Sequence, residues 1–214
     1  GLLGTGHHYY YIGVNKIWLI VGGIFSALEP LAFLAMALFA VYMYRKGEKS
    51  HPNKIALFWT IGASIVSFVG AGLLGFAHTL PQTNIYTHGT LVTAMHGHYA
   101  FWGAYAMIVL AIISYALPNM TGRKRYNNTT GHMAFWLSNV GMLGMTVAFG
   151  VAGVAQVYLE RKMKLDFMDV QNEIAIHFVV LLLCATLFAT GITLFIIEFI
   201  KYGKPTDEAL IKEE

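Results

Sequence analysis

Charge is scarce in this sequence. Charged residues fill only 12% of its 214 positions, against roughly a quarter in an ordinary soluble domain. They are also bunched, and the run from Thr90 to Leu117 holds no Lys, Arg, Asp or Glu at all. A chain built this way does not read as a water-soluble globule. With a net charge of only +3 and no basic face, it has no means of gripping nucleic acid. Cysteine is as scarce. Cys184 stands alone in an apolar run, which excludes an internal disulfide framework and leaves it as a small packing residue. The short alternating segments of a membrane barrel are missing. Apolar runs spread along the whole chain exclude a signal peptide followed by a soluble domain.

What is abundant is hydrophobic sequence, 57% of the chain. A helix needs about 20 predominantly apolar residues to cross the hydrocarbon core. Five segments meet that length, at 15–44, 55–78, 90–117, 132–159 and 174–200. They predict an all-α, polytopic membrane helical bundle. If the five alternate in direction, Arg45, Lys46, Lys49, Lys54, Arg123, Lys124, Arg125, Lys201, Lys204 and Lys212 fall on one side, ten of the fourteen cations. That side is the cytoplasmic one. The N-terminus and the loops 79–89 and 160–173 then face outward. The chain opens abruptly at Gly1 and is expected to be the C-terminal part of a longer protein.

Ionisable groups at membrane depth point to function. His96 and His98 stand two positions apart in "TAMHGHYAFWG". At about 100° per residue they point roughly 200° apart on a helix. They do not clasp one metal between them, but each can hold a separate group on an opposite face. Haem iron takes an axial imidazole, so two haems, their irons roughly 13 Å apart across the helix, suit the pair. Hydrogen bonds to neighbouring helices are the alternative. His7 and His8 are adjacent at the outer start of the first span. From a turn or helix start they can converge on one iron, copper or zinc ion. They can equally be interfacial histidines beside the aromatic belt Tyr9, Tyr10 and Tyr11.

Glu29 lies near the middle of the first span, followed by Pro30. A buried carboxylate needs a proton, a partner, a metal or water. Proline removes the helical hydrogen bond to the Ser26 carbonyl and bends the helix. The pair reads either as a hydrated, proton-accepting site or as a protonated packing residue. Glu198, three residues before Lys201, reads as an interfacial charge. His88, eight residues before His96, would lie above a haem on His96 and could bind its propionates with Tyr86 and Thr87. His78, His51 and His132 read as solvated, and His177 receives no role.

These residues together carry a resemblance. His7-His8 followed three helices later by His96-Gly97-His98 is similar to the ligand set of the haem–copper oxidase superfamily. Within it, "GTGHHYYYIG", "FSALEPLAF", "YTHGT" and "HGHYAFWGAYAMI" resemble the large cytochrome b subunits of the nitric oxide reductases. "DFMDVQNEIAIHF" points to the cytochrome-c-dependent branch. The resemblance implies the last five of twelve helices, part of one membrane-integral haem-binding catalytic domain in a bacterial inner membrane. It implies reduction of nitric oxide to nitrous oxide. His7 and His8 would bind a non-haem iron, His96 a high-spin haem b and His98 a low-spin haem b. Glu29 would aid proton delivery, and His88 would lie at the haem propionates, where calcium also binds. Expected partners are the preceding helices of the same subunit, a cytochrome c subunit as electron donor, and lipid. An oxygen-reducing oxidase of the same superfamily, or a non-catalytic di-haem electron-transfer cytochrome, is the alternative.

Overall fold

The computed structural model describes residues 2–47, 53–122 and 128–201. Among these residues the chain is helical and contains no strand. Five helices are long and apolar enough to cross a membrane, at Lys16–Lys46, Lys54–Thr79, Leu91–Met120, Thr129–Lys162 and Ala175–Ile200. They coincide with the five apolar runs. The all-α polytopic bundle is therefore the fold. Lys49, His51, Arg123, Lys124, Arg125, Lys204 and Lys212 lie outside the described residues.

The first span is interrupted at one residue, Leu28, which keeps right-handed helical backbone and a hydrogen bond to the Phe25 carbonyl. It divides into α1 (Lys16–Ala27) and α2 (Glu29–Lys46), with Leu28 between them. Pro30 takes the second position of α2, where its missing N–H is not needed. The break makes Glu29 the first residue of a helix. The partial positive charge of a helix N-terminus favours a carboxylate there. The remaining spans are α3 (Lys54–Thr79), α5 (Leu91–Met120), α6 (Thr129–Lys162) and α8 (Ala175–Ile200). Short α4 (Pro81–Thr87) and α7 (Phe167–Glu173) lie in the connections, and a 3₁₀ helix, Leu2–Tyr9, precedes α1. Asn53 starts α3 twice over. Its Oδ1 accepts the Ala56 N–H at 3.0 Å, and its Nδ2 donates to the Ser114 carbonyl on α5 at 2.7 Å.

Lipid gives no hydrophobic drive to pair helices, so close packing must do it. The spans form a row in which α8 packs on α6, α6 on α5, α5 on α3, and α3 on α2. Glycines set the crossings. A Cβ at Gly70 would come within 2.7 Å of the Tyr99 carbonyl carbon, and one at Gly103 within 2.6 Å of the Ser67 nitrogen, so α3 and α5 meet backbone to backbone. Gly191 meets the Ser138 backbone in the same way between α8 and α6. The core is aromatic. Trp59, fully buried, takes Trp102, Phe135 and Phe195 edge-on at 6.1, 5.1 and 5.8 Å. Those four rings come from four different spans.

Glu198 departs from the sequence reading. It is buried at 3% exposure, not an interfacial charge, because its face of α8 turns into the bundle.

Alternation of the spans can be tested directly. In a Cys184→Ala background, Asn119→Cys and Asp166→Cys should react with a membrane-impermeant maleimide from opposite sides of the membrane, Asp166→Cys from outside intact cells. Labelling of both from one side would break the up-and-down order of α5, α6 and α8.

Candidate functional site

One helix carries two histidines into two separate clefts. His96 lines a cleft of about 470 Å³ whose walls include His7, His8, Glu29, His78 and His88. His98 lines another of about 910 Å³ on the other face of α5, walled by Phe101, Trp102, Met142 and Phe188. Both volumes lie within the range of cofactor sites. The opposed directions expected from two-residue spacing are thus realised, one histidine to each cleft.

Local backbone fixes which nitrogen each ring offers. Within α3 the stretch Phe68–Leu73 winds as a π-helix, and the Leu74 N–H bonds back to Val69 five residues away. In a regular α-helix that N–H would have gone to Gly70. The Gly70 carbonyl instead takes His96 Nδ1 at 2.9 Å. His98 Nδ1 donates to the Ala94 carbonyl one turn back at 2.8 Å. A carbonyl only accepts, so each Nδ1 carries the proton and each Nε2 keeps its lone pair. A ring held this way is the usual form of a metal-binding histidine.

His7 and His8 sit in the 3₁₀ helix, which supplies the tight start that adjacent ligands need. Their rings are 4.0 Å apart at 41°. His7 Nδ1 bonds Ser26 Oγ at 2.5 Å, and Ser26 in turn donates its hydroxyl hydrogen to the Gly4 carbonyl at 2.9 Å. The serine hydrogen is committed, so His7 is the donor, and its Nε2 is again the free nitrogen. Burial, and then the neighbouring His8, hold His7 below the ordinary imidazole range. It therefore stays neutral, the form a metal binds. Among the described residues no three His, Cys, Asp or Glu side chains form a complete metal cage. The pair alone could supply two ligands of a metal site.

Glu29 shares the cleft with these histidines, its carboxylate packed over Gly4, where a Cβ would stand 2.8 Å from Oε1. His88 is at the rim. Its ring stacks on Tyr11 at 4.2 Å and its carbonyl lies 3.5 Å from Arg161 Nη2. Tyr10, whose hydroxyl bonds the Thr79 carbonyl, closes the wall beside it.

Sequence reasoning missed His78. Read as solvated, it is half-buried and stacks on the His96 ring at 4.9 Å and 24°. Its Nδ1 bonds the Leu74 carbonyl at 2.8 Å, and its Nε2 is buried with no hydrogen-bond partner among the described residues. The available signal was Gly75, three residues earlier on the same helix, whose missing side chain admits His96 Cε1 to 3.3 Å of the Cβ position. His132 is likewise not solvated; its ring meets Phe58 edge-on at 4.7 Å, and its Nε2 is buried without a partner among the described residues.

Residues 1–194 match the family described as Cytochrome C and Quinol oxidase polypeptide I. The chain is 42% identical over 212 residues to a subunit of the nitric oxide reductase of Stutzerimonas stutzeri, a match that takes in 95% of this chain and 45% of that protein. The chain thus spans about half the length of that relative.

Gly22 is what seats the His7–His8 segment. A Cβ there would collide with Gly6 Cα, with the Gly6 carbonyl carbon, and with the His7 nitrogen at 2.6 Å. All three are backbone atoms and cannot swing aside. Overpacking costs roughly 1–3 kcal/mol, so Gly22→Ala should displace the segment, and any metal affinity of the pair should fall about 5- to 150-fold. Iron(II) or cobalt(II) titration of the purified membrane protein measures it. Unchanged affinity would show that the crossing does not position the pair.

Proposed function

Because this chain belongs to the Cytochrome C and Quinol oxidase polypeptide I family, and because the relative it matches at 42% identity is part of a nitric oxide reductase, we propose that it forms the ligand-bearing half of a nitric-oxide-reducing centre. Two nitric oxide molecules, two electrons and two protons give nitrous oxide and water. The observation that carries this reading is the arrangement on α5. His96 faces a cleft shared with His7, His8 and Glu29, and His98 faces a separate cleft behind it.

His96 and His98 would hold a high-spin and a low-spin haem b, and His7 with His8 a non-haem iron. When bound, these groups store electrons and coordinate the nitrogen of the substrate. The protein does the rest. The Gly70 and Ala94 carbonyls hold the His96 and His98 protons on Nδ1 and keep each Nε2 aimed at its cleft. Ser26 does the same for His7. Glu29, at a helix start on the wall of the same cleft, takes up and delivers protons at its carboxyl oxygens. Holding both substrate molecules against one another in a closed site removes much of the entropic barrier to joining them. His88, which lines the same cleft as His96, would bind the propionates of a haem held there, with calcium beside them. The preceding helices of the same polypeptide, a cytochrome c subunit as donor, and a bacterial inner membrane complete the assembly.

Haem assignment follows from the two clefts. His98→Ala should abolish the low-spin haem spectrum, and His96→Ala should leave that spectrum and disturb the high-spin one. Loss of the same species in both variants would contradict separate sites.

Glu29→Gln separates proton delivery from packing. The amide keeps the shape but cannot take up and release a proton. Positioned proton transfer contributes ~100- to 10,000-fold in enzymes generally. Nitric oxide consumption per haem should therefore fall at least about tenfold with both haems retained and reducible. Activity within about twofold of the parent would leave Glu29 a structural residue. Oxygen consumption exceeding that of nitric oxide in the parent would favour the oxidase reading.

A further inference from the structure

Glycine in the middle of a helix is costly, and here nearly every one has a visible use. Among the described residues, each glycine inside a helix but one lies within 4 Å of another part of the chain at its Cβ position. The exception is Gly97, between His96 and His98, where a Cβ would meet nothing. Gly97 has no left-handed backbone either; the glycines with positive φ are Gly13, Gly89 and Gly122. Neither helix packing nor backbone geometry within this chain asks for glycine there.

The surroundings say what does. Thr93, Gly97, Phe101 and Tyr105 follow one another at four-residue spacing and form an exposed stripe down α5. Thr93 and Tyr105 line both the His96 cleft and the His98 cleft. The two clefts therefore meet along this stripe, and Gly97 is its gap. Below it, Phe101 and Tyr105 stack at 4.9 Å and 30° and form a floor. Gly97 itself lines the His98 cleft, between the two residues that border both.

We propose that Gly97 is a positioning residue, kept without a side chain so that the edges of two planar macrocycles, one on His96 and one on His98, approach each other directly over its Cα. This rests on the haem reading above. The residue would set how strongly the two groups sense one another, while His96 and His98 set where each is anchored.

The test is made on the purified, haem-loaded membrane protein with Gly97→Ala and Gly97→Leu. Haem content, the low-spin and high-spin absorption and electron paramagnetic resonance signals, and the thermal unfolding midpoint are read together. Alanine is the better helix former, so Gly97→Ala should unfold no earlier than the parent and keep both haems. Its two haem spectra should shift together, and reduction of one haem should affect the other less. Gly97→Leu should lose about half of the bound haem. Two results would overturn the proposal. One is Gly97→Leu with both haems and the parent's spectra. The other is Gly97→Ala with a lower unfolding midpoint and unchanged spectra, which would mean that a protein segment packs over the gap. A parent protein that binds no haem would instead sink the functional reading itself, and the proposal with it.

Discussion

An imidazole has two nitrogens, and a ring that is to hold a metal with one must be held by the other. That requirement is met at three histidines of the site. His96 is held by the Gly70 carbonyl, His98 by that of Ala94 and His7 by the Ser26 hydroxyl. In each case the proton stays on Nδ1, and the lone pair of Nε2 is left free. The Ala94 contact is available to any histidine one turn further along a helix. The Gly70 contact is not, since it crosses from one span to another and needs a carbonyl that the helix has released. The π-helical stretch in α3 releases it.

The same contact depends on how near two helices can come. Gly70 and Gly103 let α3 and α5 touch through their backbones. Larger residues would hold the spans apart and lift the Gly70 carbonyl out of reach of His96. Glycine is therefore used for two unlike purposes in this bundle. At the crossings its missing side chain is occupied by a neighbouring backbone, and at Gly97 the space is left open.

Much of the arrangement can be read from the chain alone, where it depends on local periodicity. The five spans follow from run length, and the opposed directions of His96 and His98 from the helical repeat. The disturbance at Glu29 follows from Pro30, and it takes the form of a one-residue interruption at Leu28. Partners drawn from distant segments were not legible. His78 looks like a surface histidine until α5 brings His96 against it. Glu198 sits near a helix end in sequence, but the rotation of α8 against α6 takes it inside. The π-turn at Phe68–Leu73 has no signal in the sequence beyond Gly70 and Gly72.

The aromatic cluster about Trp59 has a mechanical meaning. It ties α3, α5, α6 and α8 together near the Lys54 end of the bundle, whereas His78, at the far end of α3, is 19 residues away in sequence and so roughly 28 Å along the helix. Yet α6 is held against α5 at that end too, where a Cβ on Gly153 would collide with the Val92 nitrogen. The bundle is fastened at both depths, so the clefts are gaps between helices that are already fixed, and a flat guest would be gripped by walls set in advance of its arrival.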